Sequence, residues 1–330
     1  MNNAKKKSRL PIAGDKLVLI LAIIGITFIF TYLNKNYLST TNFINILLAT
    51  SLTGLVAIGH TYLIIAGLND LSPGSLAAFA GVFGALLSKR GMPFYLVLPV
   101  TIVVTGCVGL FNAWMVNKIH IEAFIATLVT QSIIRGVAYI ISGGIAIAIT
   151  DKAFIGMGKT RQLGIPLPIW ILIAAYVVFG YILAKTTFGR SIYAIGGNRE
   201  AARLAGLNPE KIVVTTYVIM GALCGLGGII LAGRMNSGQP SAGVNLEFDA
   251  ITAVILGGVS FIGGVGSMGG TVLGVILIQA FNTGLTMVNV PSFWQYVAKG
   301  MLLLIALTID YLRKVSREKK LLADSMKSLE

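Results

Sequence analysis

Residues 250–298 form a run of 49 positions without one Asp, Glu, Lys or Arg. A soluble fold has no surface on which to spend such a stretch. A membrane span needs about 20 mostly apolar residues, so the run holds two spans and the start of a third. The breaks fall at the glycine-rich stretch 263–270 and at Pro291, and the third span continues through Lys299 to about residue 311. Shorter charge-free runs occupy 17–33, 43–65, 71–88, 91–117, 123–134 (resuming after Arg135 to 150), 162–184 and 212–233. Together they predict an all-α, polytopic membrane protein with about ten transmembrane helices over 17–311. An N-terminal segment, 1–16, and a C-terminal tail, 312–330, flank them. Helices around 67–84 and 251–263 are expected to be short or broken.

Composition agrees. Hydrophobic residues make up 55% of the chain and charged residues 12%, against roughly 25% charged in soluble domains. Mean hydropathy is +0.84. Glycine occurs 39 times, as suits helices that approach closely. The pairs Gly221/Gly225 and Gly270/Gly274, four apart, mark such crossings.

The net charge of +14 does not point to nucleic acid. Basic residues cluster at the two ends and in one central segment, which is a membrane-orientation pattern. With the N-terminus inside, inner segments carry 17 Lys and Arg and outer segments 7. This predicts both termini in the cytoplasm. The N-terminal KKKSR resembles a signal-peptide n-region, but no small-residue cleavage site follows, so the first helix is read as retained. Cys107 and Cys224 lie in apolar runs as packing residues. His60 and His120 have no metal-site spacing, and neither paired carboxylates nor a Ser–His arrangement suggests an enzyme.

One segment does not belong in a membrane: KTTFGRSIYAIGGNREAARLAGLNPEK, residues 185–211. Asn198 can cap a short helix that Gly206 closes. Asn208 can cap the next helix, with Pro209 at its first position. At 100° per residue, Arg199, Glu200 and Arg203 share one arc, and Ala201, Ala202 and Ala205 lie opposite. A capped helix with a small-residue face is a docking element rather than a plain connection.

FGRSIYAIGGNREAARLAGLNPEKI resembles the cytoplasmic coupling segment of bacterial ABC sugar-importer permeases of the ribose-transport type. SGQPSAGVNLEFDAITAVILGGVSFIGGVGSMGG, GLNDLSPGSLAAFAGV and FIATLVTQSIIRGVAYIISGG resemble the same family, over roughly 40–311. Asn69, Pro73, Glu122 and residues 129–131 depart from its usual motifs. The resemblance implies a permease in the bacterial cytoplasmic membrane, paired with a second permease subunit. A cytoplasmic ABC ATPase that binds the ATP and an extracytoplasmic sugar-binding protein complete the assembly. It implies no cofactor in this chain. It assigns coupling to segment 186–211, through Gly189, Arg190, Asn198, Arg199, Glu200, Ala201, Ala202, Ala205 and Gly206, with force passing into the following span through 209–211.

Two motifs look like nucleotide sites and are read otherwise. GMGKT at 156–160 has Ala153 where a P-loop needs glycine, and no strand precedes it. GVGSMG at 264–269 joins two spans, so it is a tight glycine turn. Candidate positions along a translocation path are Asp70, Gln131, Arg135, Asp249 and Asn282. Asp70 and Asp249 each lead into a similar small-residue run, in opposite directions through the membrane, which suggests an inverted repeat. Arg135, inside a span, needs a carboxylate, backbone carbonyls or water. The expected cargo is a monosaccharide such as ribose. The alternatives are another small solute, such as a branched-chain amino acid, in the same machine, or a stand-alone secondary transporter.

Overall fold

A computed structural model describes residues 11–327. The chain is helical nearly throughout: α1 Pro11–Leu33, α2 Thr40–Ile65, α3 Pro73–Lys89, α4 Phe94–Trp114 and α5 Ala123–Ser142. There follow β1 Ile147–Ala148, α6 Lys152–Lys159, β2 Arg161–Gln162, β3 Ile165–Pro166, α7 Leu167–Lys185, α8 Thr187–Gly197 and α9 Arg199–Leu204. The chain continues with α10 Pro209–Met235, β4 Ser237–Gly238, α11 Leu246–Leu256, α12 Met268–Met287 and α13 Ser292–Lys327. The strands form two antiparallel pairs, β1 with β4 and β2 with β3.

Eight helices among the described residues are long and apolar enough to cross a membrane: α1, α2, α4, α5, α7, α10, α12 and α13. The other two of the ten expected spans are α3 and α11, the two regions expected to be short. The 11 residues of α11 rise only about 16 Å at ~1.5 Å per residue, half of a ~30 Å hydrocarbon core. It is too short to cross alone, and non-helical chain flanks it on both sides. The helix α13 runs unbroken to Lys327, so the boundary drawn at 311/312 is a change of composition within one helix.

α2 and α10 form the centre, with 61% of each apolar window buried against 6% for α13. Around them the packing repeats. α10 packs on α4 and α3, and α2 on α12 and α11; α3 packs on α5, and α11 on α13. Exchanging α2–α5 for α10–α13 reproduces these pairs, as an inverted repeat requires. The crossings use the glycine pairs read from sequence. A Cβ on Gly221 would strike the Thr105 carbonyl, and one on Gly274 the Ala253 carbonyl. These contacts join α10 to α4 and α12 to α11.

Candidate functional site

The segment between α7 and α10 folds on local signals. The Thr186 hydroxyl accepts from the Gly189 amide at 3.2 Å and starts α8. Asn198 ends α8, and its Oδ1 accepts from the Ala201 amide at 2.9 Å to start α9. Gly206 adopts φ +86°. Leu207 N–H donates to the Ala202 carbonyl (3.1 Å) and Gly206 N–H to that of Arg203 (3.0 Å), a Schellman closure. Asn208 Oδ1 then accepts from the Lys211 amide at 3.1 Å and starts α10 at Pro209.

The two sides of this segment differ in what they meet. Inward, Phe188 stacks on Tyr62 with centroids 6.1 Å apart, and Tyr193 Oη donates to the Gly266 carbonyl at 2.9 Å. Gly196 lies so close to the Ile65 carbonyl that no Cβ fits. That same carbonyl accepts from Gly264 N–H at 2.8 Å. Gly263, at φ +104°, packs on Gly67 and on the Gly196 carbonyl. Three backbones therefore meet without side chains between them: the end of α8, the end of α2 and the connection after α11.

Outward stand Arg190, Arg199, Glu200, Ala201, Arg203, Leu204 and Ala205. Two of the residues assigned to coupling are buried within this chain. Ala202 is buried against its own chain, so only part of the alanine face points outward. Gly189 is buried because a Cβ there would strike the carbonyls of Leu183 and Ile182 in α7. The outward apolar arc is Ala201, Leu204 and Ala205, with Leu204 77% exposed. At the rim, Arg203 Nε donates to Glu200 Oε2 at 3.1 Å. This hydrogen bond holds the Glu200 carboxyl below the usual carboxylate range.

The sequence-derived pathway residues fall into three groups. Asp70 is enclosed: its Oδ1 accepts from Ser72 N–H (2.7 Å) and Ser72 Oγ–H (2.6 Å). Asn112 Nδ2 reaches the same Ser72 hydroxyl at 3.3 Å, and Thr130 Oγ1 donates to Asn112 Oδ1 at 2.6 Å. Asp70 thus shapes the entry to α3. Gln131 and Arg135, one turn apart on α5, both address the broken span before α11. Arg135 Nη1 donates to the carbonyls of Pro240 (2.7 Å) and Ala242 (2.6 Å), and Gln131 Nε2 to Glu247 Oε1 at 3.0 Å. This connection runs down α3, with Gly238 against Gly81 and Gly243 against Gly74. Its carbonyls face a candidate span, α5, and carbonyls inside a membrane need such donors. The other oxygen of Glu247 lies against Gly74, so the first turns of α3 and α11 meet head to head.

Asp249 and Asn282 form the third group, joined by Lys299. Asp249 Oδ2 accepts from Lys299 Nζ at 2.8 Å and from Asn282 Nδ2 at 3.1 Å. Asp249 and Lys299 border a cavity of about 280 Å³ between α11 and α13, lined also by Asn245, Thr252 and Tyr296. The site offers donors and acceptors with little net charge, which is what hydroxyl-bearing solutes need. Reading the sequence does not single out Glu247, Lys299 or Leu204. The available signal is pairing by elimination: lone cations in apolar runs require anions or carbonyls, and Glu247 and Asp249 flank such a run.

A family profile described as "Branched-chain amino acid transport system / permease component" matches residues 42–307. The ribose import permease protein RbsC of Haemophilus influenzae is 38% identical over 298 residues, 89% of this chain and 90% of its own. The chain belongs to the ABC sugar-importer permease family. The permease is also 38% identical to the L-arabinose transport system permease protein AraH of Escherichia coli, over 86% of both chains. It is 38% identical to RbsC of Bacillus subtilis, over 90% of this chain and 92% of that one. No solved structure gives a significant match.

Proposed function

We propose that this permease carries a monosaccharide of the ribose or arabinose class across the bacterial cytoplasmic membrane. A separate ABC ATPase docks on the outward face of α8–α9, and a sugar-binding protein delivers cargo on the opposite side. A second permease subunit, an identical copy in the simplest assembly, completes the path. ATP is bound and hydrolysed only in the ATPase. The observation that carries this reading is the self-capped segment 186–208, rooted by Gly196 against Ile65 and Gly264. Motion imposed on α8–α9 would reach both broken spans through that backbone junction, as well as α10 through Pro209. The 280 Å³ cavity beside Asp249 and Lys299 is the part of the path suited to sugar hydroxyls.

The docking face is tested by Leu204→Asp. In the assembled importer this variant should lose co-purification of the ATPase and substrate-stimulated hydrolysis, while the permease stays monodisperse. Wild-type levels of both would remove α9 from coupling. Orientation follows from the 17 to 7 basic split. A cytoplasm-active reporter fused after Leu312 should be active, and one within 152–161 silent; equal signals would overturn the cytoplasmic placement. A second reading, amino-acid cargo, is favoured by the Asp249–Lys299 pair, which matches a zwitterion's charges. Uptake of labelled ribose or arabinose, competed by leucine, separates the two.

A further inference from the structure

A groove of about 470 Å³ lies between the end of α4 and the start of α10. Its lining is graded along both helices. Leu110 and Val214 stand on the span side, Trp114 comes next, and Lys118, Glu210 and Lys211 form the rim. Trp114 is half exposed and stacks on Phe111 with centroids 5.8 Å apart. After Trp114 the helix widens into a π-turn, Met115–Ile119. This turn brings Lys118 Nζ to 2.9 Å from Glu210 Oε2. The Lys211 ammonium makes no ion pair among the described residues. The rim thus carries two lysines and one carboxylate, and only Lys118 is paired with it.

We propose that this groove binds one anionic phospholipid, with its phosphate between Lys118 and Lys211 and an acyl chain along Leu110 and Val214. Three features select a lipid. The groove opens between two spanning helices, where hydrocarbon is the surrounding medium. Its aromatic residue stands at the level between charge and apolar wall, the place tryptophan takes at membrane boundaries. Its basic rim lies at the end of the spans, where anionic headgroups collect. A soluble phosphate would use the lysines and leave the apolar wall unfilled. The headgroup would rest beside Asn208, where the α8–α9 segment joins α10, so it would bear directly on that joint.

Trp114 reports occupancy itself. The full-length permease, carrying Trp170→Phe and Trp294→Phe, is placed in nanodiscs with a small, equal fraction of dibrominated phosphatidylglycerol or dibrominated phosphatidylcholine. Quenching of Trp114 should saturate with the anionic lipid, with an apparent preference of about fivefold, the weight of one near-surface lysine. Lys118→Gln with Lys211→Gln should abolish that preference. Glu210→Gln should increase it by releasing Lys118, so the test survives if the double variant fails to fold. Equal quenching by both lipids would overturn the proposal. So would a preference that never saturates, or one that neither variant set alters.

Discussion

Two stretches that are not spanning helices, 186–208 and 236–245, sit on either side of α10, and they are held by different means. The first carries its own partners. Thr186, Asn198 and Asn208 each cap a helix three residues ahead, and Gly206 closes α9. The second has short local turns, such as Ala242 N–H to the Gln239 carbonyl at 3.2 Å, but leans on distant partners. Its carbonyls at Pro240 and Ala242 are satisfied by Arg135, more than 100 residues earlier in sequence. Its path is set by the glycines Gly238 and Gly243 lying on α3. Local capping makes a unit that can be presented to a partner. Long-range satisfaction makes a unit that cannot move without the core.

The junction between the two systems should be the most sensitive place to strike. Gly196→Val drives a side chain into the Ile65 carbonyl and is expected to abolish recovery of monodisperse protein. Gly197→Ala, with open space around it, should leave the elution profile unchanged. A tolerated Gly196→Val would mean that α8 is not fixed to α2.

Arg135→Leu comes next. It removes the donor from two partly buried carbonyls, at up to about 1–3 kcal/mol each, so a loss of up to about 2–6 kcal/mol is expected. It should be visible as a lower melting temperature in detergent, and Arg135→Lys should recover part of it. An unchanged melt would show that water or lipid can replace the guanidinium.

The smallest effects belong to the self-capped segment. Asn198→Ala and Gly206→Val should each cost about 1 kcal/mol locally. Hydrogen exchange of the α9 amides should quicken, with the spans' protection unchanged. Glu200→Gln breaks only an exposed pair and should move neither readout. Global destabilisation by either cap variant would collapse the contrast between the two stretches.

The same contrast explains what the sequence makes legible. Asn198, Gly206, Asn208 and Pro209 are recognisable because each cap acts within three or four residues. The crossings at Gly221 and Gly274 are recognisable because a repeat of four puts both glycines on one helix face. The shortness of α11 shows in its flanking glycines. What stays hidden is pairing across the fold. The partner of Lys299 is Asp249, 50 residues away, and nothing in either neighbourhood names the other. The outward side of α9 is hidden for a related reason. The helical wheel orders Ala201, Ala202 and Ala205 correctly around the axis. Only the tertiary packing decides that Ala202 turns inward and Leu204 turns out.

The bare-backbone junction at Gly196 also bears on how such permeases can be recombined. The segment 186–208 has a removable coat and a fixed lining. If the ATPase docks there as proposed, a chimera meant to accept another one would exchange Arg199, Ala201, Leu204 and Ala205 and keep Gly189, Ile192, Gly196 and Ala202. Transplanting the whole segment would import a foreign lining onto Ile65 and Gly264, and partner choice could then be redesigned only together with the seat beneath it.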